Sequence, residues 1–303
     1  MSRRLILLVL FVLAAATLLF VPLPIPPSYA GRTIENAGHM PLFLVGTLSI
    51  LSLMRHEWDL EGARLYVYAG LIGAAASVGS ELLQWPLRRD ASWEDVFADC
   101  VGVVCAIAAH AAVTRREKLN GAARATAALI ALGCIAAYVA PIVSMVRDYV
   151  HRNSQFPVLA SFDSRVELSW IVGYGVRRDV IAGVLEVEFV RRVFPGFTFY
   201  EPVADWRNYK TLIIDAENPE QEQVLHLGLR VHDAGHDRTY ADRFNSRFDI
   251  GPGERRSLRI PLDDIYRAPR NRLMNMAQIS DVTLFRTKED GSQRLRLHSM
   301  RLE

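Results

Sequence analysis

Two periods of hydrophobicity divide this chain. In its first half, runs rich in Leu, Ala, Val and Gly, with Glu81 and Asp99 their only charges, recur at residues 5–21, 39–54, 65–83, 96–113 and 125–146. A membrane span needs about 20 apolar residues, or about 17 at the short end, so these runs predict five membrane helices. The second is the shortest and carries Pro41 near its start. From about Leu159 the period falls to two. Residues 184–190, 224–231 and 258–262 alternate apolar and polar positions between Gly, Pro, Asn or Asp, which predicts strands. Further strands are expected at 197–200, 211–215, 244–250, 282–287 and 295–302. The fold class that follows is an α-helical transmembrane bundle of about five spans followed by an all-β jelly-roll sandwich. The bundle takes residues 1–146, a polar connector 147–158, and the sandwich 159–303.

Whole-chain averages describe neither half: 22% of residues are charged and the net charge is +2. The arginines are interleaved with acids and form no basic stripe, which excludes a nucleic-acid footprint. Cys100, Cys105 and Cys134 all lie in apolar runs of the first half, where a free cysteine is a small buried hydrophobe and no disulfide framework is expected. Leu18 to Pro22 offers no small-x-small cleavage site, so the first helix reads as uncleaved. Arg3 and Arg4 precede it, Arg55 and Arg64 flank the second loop, and Arg115, Arg116, Lys118 and Arg124 crowd the fourth. The other side holds Arg32, Arg88 and Arg89. The positive-inside rule then places the N-terminus in the cytoplasm. Five spans deliver the sandwich to the periplasmic side of a cytoplasmic (inner) membrane, with the lipid bilayer as the first partner.

The predicted bundle retains polar residues at one depth near the outer surface. Glu81, Gln84 and Arg88 share a helix face by their spacing, as do Asp95, Asp99 and Gly102, and His39 opens the second span. Ionisable groups within spans are costly and usually face a bundle interior or a cavity. Glu81 and Asp95 are candidates for an acid/base pair and His39 for a proton relay. Arg88 or Arg89 suits a phosphate or carboxylate, and Gln84 and Asp99 complete the binding set. His39, Glu81, Asp95 and Asp99 also have metal-ligand chemistry, but no paired-His motif or cysteine cluster accompanies them, so no metal centre is expected. Two plainer readings compete: helix ends capped by Ser92 or Asp95, and polar groups that hold helices together. The small face Gly70, Gly73, Ala74, Ser77 belongs to close helix packing.

Glu81-x-x-Gln84, then Arg89-x-x-Ser92-x-x-Asp95-x-x-x-Asp99-x-x-Gly102, preceded by His39, resembles the VanZ-like family of small bacterial membrane proteins. The resemblance covers residues 34–113. That family is named for a member associated with teicoplanin resistance, and it implies a membrane and cell-envelope context without naming a reaction. Glu35 and Asn36 stand where the family carries Asp-Lys, and Asp99 where it carries Asn.

In the second half the matching run is Asp205-Trp206-x-x-Tyr209-x-x-Leu212, Asn218-Pro219, Leu229-Arg230-Val231-His232-Asp233, Asp242-Arg243-Phe244-Asn245, Gly251-Pro252-Gly253 and Ile260-Pro261-Leu262-x-x-Ile265. Its order resembles the galactose-binding-like sandwiches that include many carbohydrate-binding modules, over residues 162–303. The resemblance implies sugar binding through loop aromatics and polar groups, with a structural calcium ion as the one possible cofactor. A sugar site needs an aromatic plate and groups for hydroxyls, and Trp206, Tyr209, His232, Asp233, His236, Tyr240 and Asn245 offer them. Trp206 and Tyr209 also suit core plugs, and Asp233, Asp242 and Arg243 a loop-holding ion pair. The loop from His232 to Tyr240 is the best suited to binding. No phosphate loop, Gly-x-Ser-x-Gly elbow or Ser/His/Asp set is present. The expectation is an envelope protein that binds an envelope polysaccharide or a lipid-linked glycan. The alternatives are a membrane enzyme that modifies such a glycan and a scaffold for another envelope protein.

Overall fold

Long apolar runs set the helices of the first half. The computed structural model describes residues 3–20, 28–84, 92–114, 119–190, 194–288 and 291–303, the side chains of 18–20 excepted. Its helices are α1 (Arg3–Phe20), α2 (Tyr29–Ala37), α3 (His39–Glu57), α4 (Gly62–Gln84), α5 (Trp93–Val113), α6 (Gly121–Gln155) and the short α7 (Leu262–Tyr266). Pro41 sits in the first turn of α3, where its missing N–H leaves no helical bond unmade. Ser92 caps α5 by accepting from the Glu94 N–H at 3.0 Å, and Glu94 and Asp95 place carboxylates at the positive end of the helix. Tyr29–Glu57, Gly62–Gln84, Trp93–Val113 and Gly121–Gln155 are long and apolar enough to cross a membrane, and α1 adds 18 further apolar-rich residues. Leu129, Leu132 and Val143 of α6 stand exposed, the reverse of a water-facing helix.

The chain forms two compact units, the first running to residue 146 and the second beginning at Arg147 and taking in residues 28 and 29. Within the first, small residues let helix backbones touch. A Cβ on Gly102 would lie 2.4 Å from the Met40 carbonyl oxygen, and one on Gly73 2.7 Å from Val103. Only glycine fits against a backbone at Gly102, and this approach of α5 to α3 sets Asp99, one turn earlier, beside His39.

The second unit contains the strands β1 (Val158–Ala160), β2 (Ile171–Tyr174), β3 (Val176–Ile181), β4 (Val184–Phe189), β5 (Gly196–Tyr200), β6 (Thr211–Glu217), β7 (Leu225–Asp233), β8 (Phe244–Ile250), β9 (Arg255–Pro261), β10 (Ile279–Arg286) and β11 (Arg294–Leu302). They build two antiparallel sheets, β3-β4-β11-β6-β9 with β1 added to β11, and β2-β5-β10-β7-β8. From β4 onward the spatial orders 4-11-6-9 and 5-10-7-8 are those of a jelly roll. Each of the eight strands expected from the sequence is present, and β1, β2 and β3 are additional. Alternate residues meet between the sheets: Leu227, Leu229 and Val231 of β7, with Phe197 of β5, face Leu185, Phe189 and Leu297 in one buried cluster. Fully burying each such side chain contributes about 1.5–3 kcal/mol.

The stretch expected as a polar connector is mostly helix, because α6 continues to Gln155. Its last turns belong to the second unit. The Arg152 guanidinium lies 4.7 Å from the ring centroids of both Tyr149 and Trp170. Tyr149 meets Trp170 edge-on at 4.6 Å, and both Tyr149 and Arg152 donate to Glu201.

Candidate functional sites

In the first unit, α3, α4 and α5 bring their polar residues together. His39 Nδ1 lies 3.0 Å from Asp99 Oδ1, and His39 Nε2 lies 3.9 Å from Asp95 Oδ1. Glu81 Oε2 accepts the Ser92 N–H at 3.0 Å, so α4 is tied to the cap of α5. His39, Glu81 and Asp99 hold ligand-type atoms within 4.8 Å of one another, and all three are buried. Asp99 Oδ2 and Glu81 Oε1 are buried and accept no hydrogen bond. Gln84 is buried one turn beyond Glu81 on α4, where Ser77 and Ser80 are buried too. Arg88 and Arg89 lie outside the described residues.

In the second unit the structure separates the sequence candidates. Trp206 is 0% exposed and donates its indole N–H to the Val203 carbonyl, so it presents no face to a sugar. Tyr209 packs on the core with Phe156 at 5.2 Å. Both aromatics take the core role. Asp233 and Asp242 form the loop-holding ion pair, though with Arg272 and not Arg243. Arg272 Nη1 and Nη2 donate to the two Asp233 oxygens at 2.6 and 2.7 Å, and its Nε and Nη2 donate to Asp242 at 2.5 and 2.9 Å. The hydrogen bonds from Arg272 hold the Asp242 carboxyl down to about 2. At Asp233 burial pushes upward, but Arg272 and the Asn275 N–H outweigh it and the carboxyl is lowered. His236, Asp237 and Asp242 lie close enough together to share a cation. Arg272 already occupies both Asp242 oxygens, and its charge opposes a metal there.

The polar residues that remain accessible share the outer face of the sheet β2-β5-β10-β7-β8. Because successive strand residues alternate sides, the non-core positions of β7 are His226, Gly228, Arg230 and His232. Two rungs cross the sheet. One runs Val172, Thr198, Thr283, Arg230, Asn245, and the other Tyr174, Gly196, Phe285, Gly228, Arg247. Thr198 and Thr283 share a hydrogen bond of 2.8 Å, and the Arg230 guanidinium covers the Phe285 ring at 4.0 Å. Gly228 makes room for that ring, since a Cβ there would meet it at 2.4 Å. At one end His232 Nδ1 lies 2.6 Å from Asp281, and the His232 and His236 rings stack at 4.2 Å. Tyr240 is 70% exposed with Arg243 at 5.0 Å from its ring, and Tyr174 is 37% exposed.

The charges on this face are unbalanced. Burial, and next the charge of Arg230, lower the Arg243 guanidinium; burial raises the Tyr174 hydroxyl against the pull of Arg230. Arg230 Nε, Arg243 Nε and His232 Nε2 are buried and make no hydrogen bond. The opposite sheet differs: Arg296 there pairs with Glu186 and Glu217, and Arg301 with Asp215. His232, His236 and Tyr240 were legible as candidates from the loop composition, and Asn245 as a polar group for hydroxyls. Tyr174 and Arg230 were not, although the period-two positions of β7 would have placed Arg230 beside His232.

No protein-family model and no curated protein matches the sequence. Among solved structures, the chain is similar to the family 11 carbohydrate-binding module of Clostridium thermocellum in complex with a β-1,3-1,4-mixed-linked tetrasaccharide. The TM-score is 0.38 at 10% identity, over 48% of this chain and 93% of that one. An agarase gives 0.40 at 15% identity, over 48% of this chain and 24% of that one. A mutant family 29 carbohydrate-binding module gives 0.31 at 12% identity, over 43% and 77%. The chain thus spans about a quarter of the length of the agarases it matches.

Proposed function

We propose that this chain is a multi-pass protein of the cytoplasmic membrane whose sandwich binds an envelope glycan carrying a carboxylate or phosphate. The observation that carries the reading is the outer face of the second sheet: Arg230 and Arg243, without a carboxylate partner among the described residues, stand with buried unpaired N–H groups beside Tyr174 and exposed Tyr240. A sugar ring lies on an aromatic plate, and guanidinium forks bind its anionic group. The VanZ-like resemblance over residues 34–113 supports an envelope setting.

Intact protein in detergent, applied to an array of bacterial and plant glycans, should retain acidic saccharides. Arg230→Ala and Tyr240→Ala should each weaken the retained ligand about tenfold or more, the scale of a lost charge-assisted bond or anchor. Reducing the sugar carboxylate to an alcohol should have an effect similar to Arg230→Ala. No retained glycan, or binding indifferent to both substitutions, would exclude the face as a glycan site.

The topology rests on the basic loops at Arg55, Arg64 and Arg124. An alkaline phosphatase fused after Glu303 should be active, and a fluorescent protein that matures only in the cytoplasm should be dark. The opposite pair of results overturns the placement of the sandwich.

A further inference from the structure

The first unit carries a site of a different kind. We propose that His39, Glu81 and Asp99 bind one divalent transition-metal ion, Zn2+ or Mn2+, inside the helical bundle. Asp99 is 0% exposed and Glu81 5%, and one carboxylate oxygen of each is buried without a hydrogen bond, with the Ser77 hydroxyl close to Asp99. An unpaired buried carboxylate oxygen is expensive, and two in one cluster are more so. His39 is the one basic side chain within ion-pair distance of these acids among the described residues. A divalent cation would offset the charges of the two carboxylates that ligate it, Glu81 and Asp99.

The distances are also those of a metal site. His39 Nδ1 and Asp99 Oδ1 are 3.0 Å apart, the separation of two ligands about 2.1 Å from one ion at roughly a right angle. The orphan oxygens, Asp99 Oδ2 and Glu81 Oε1, supply further ligand capacity, and Glu81 Oε2 is already held by the Ser92 N–H. With Nδ1 on the metal, Nε2 faces Asp95 at 3.9 Å, and a small approach would make Asp95 the carboxylate partner that orients a ligating imidazole. One nitrogen and two carboxylates, without sulfur, favour Zn2+ or Mn2+ over Cu+. Three protein ligands leave a coordination position open, the pattern of sites that bind an exchangeable oxygen donor. Gly102 fixes the distance on which the site depends, because it seats α5 against the backbone of α3.

The test uses the whole chain purified in detergent from cells grown with ordinary trace metals. Mass spectrometry of the metals should find about one Zn or Mn per chain, removable by a chelator and restored by the metal alone. Chelation should lower the melting midpoint by several degrees, and Asp99→Asn or Glu81→Gln should weaken binding at least tenfold. If either variant fails to fold, X-ray absorption of the parent decides. One imidazole nitrogen with oxygen ligands supports the site; sulfur ligation, pointing to Cys100, Cys105 or Cys134, overturns it. So does parent protein that holds no metal at any added concentration up to millimolar, the result expected if the carboxylates are neutralised by protons.

Discussion

A fragment of residues 147–303 should unfold cooperatively as a soluble β domain, and one beginning at Gln155 should be about 2–3 kcal/mol less stable. The difference lies in Trp170, which is 7% exposed because Tyr149 and Arg152 cover it. Without residues 147–154 one face of the indole meets water, and a cation–π contact worth about 0.5–2 kcal/mol is lost with the apolar burial. The hydrogen bonds from Tyr149 and Arg152 to Glu201 go as well. Tyr29, which packs edge-on against Trp170 at 4.9 Å, is absent from both fragments, so the comparison isolates the end of α6. Urea midpoints followed by tryptophan fluorescence measure it. Equal midpoints would mean that the helix end adds nothing to the sandwich.

In the longer fragment, Arg272→Met should be the most damaging single change, at about 3 kcal/mol, because removing one partner of a buried ion pair strands the other charge. The stranded group is Asp233, which is 1% exposed. The pair also sets a pH dependence. Asp233 and Asp242 are both lowered in the folded state, Asp242 to about 2, against about 3.9 in an unfolded chain. A lowered carboxyl contributes stability that is fully present above the unfolded value and lost as pH falls through the folded one. The parent should therefore weaken between about pH 4 and pH 2, and Arg272→Met should weaken much less across that window. Parallel pH profiles for the two proteins would rule out Arg272 as the cause. Glu167 works in the opposite sense: burial raises its carboxyl despite bonds from Ser161, so it contributes more as pH falls through its folded value.

The sequence made visible those elements whose local pattern is also their tertiary role. Leu225 to Val231 alternates because one side of β7 is core, and the pattern names the strand and the buried side together. β2 and β3 escaped notice because Gly173, Gly175 and the run Arg177-Arg178-Asp179 interrupt the alternation, while partners on β5 and β4 hold the backbone in place regardless. The end of α6 was missed for a different reason. Hydropathy stops at Val146, but Asp148, Arg152 and Asn153 can continue a helix, and the chain turns only at Pro157. Trp206 shows the limit of composition as a guide to sites. Core and sugar site both demand a large aromatic, and only its 0% exposure separates them. The ion pair at Asp233 and Asp242 was foreseeable as a need, but its cation, 30 residues or more away at Arg272, was not.

The place of β11 bears on how this protein can be made. Residues 294–302 fill the middle of their sheet, between β4 and β6, and also hold β1, some 140 residues earlier in the chain. Before they are synthesised, β4 and β6 present open edges, and the core lacks Leu295, Leu297, Met300 and Leu302. No sub-assembly of the earlier strands closes the sandwich, and pairings over such separations are slow to find. Folding of the domain is therefore a late event that waits for residue 302 to leave the ribosome. Until then the earlier strands lack their central partner and stay open to pairing with other chains.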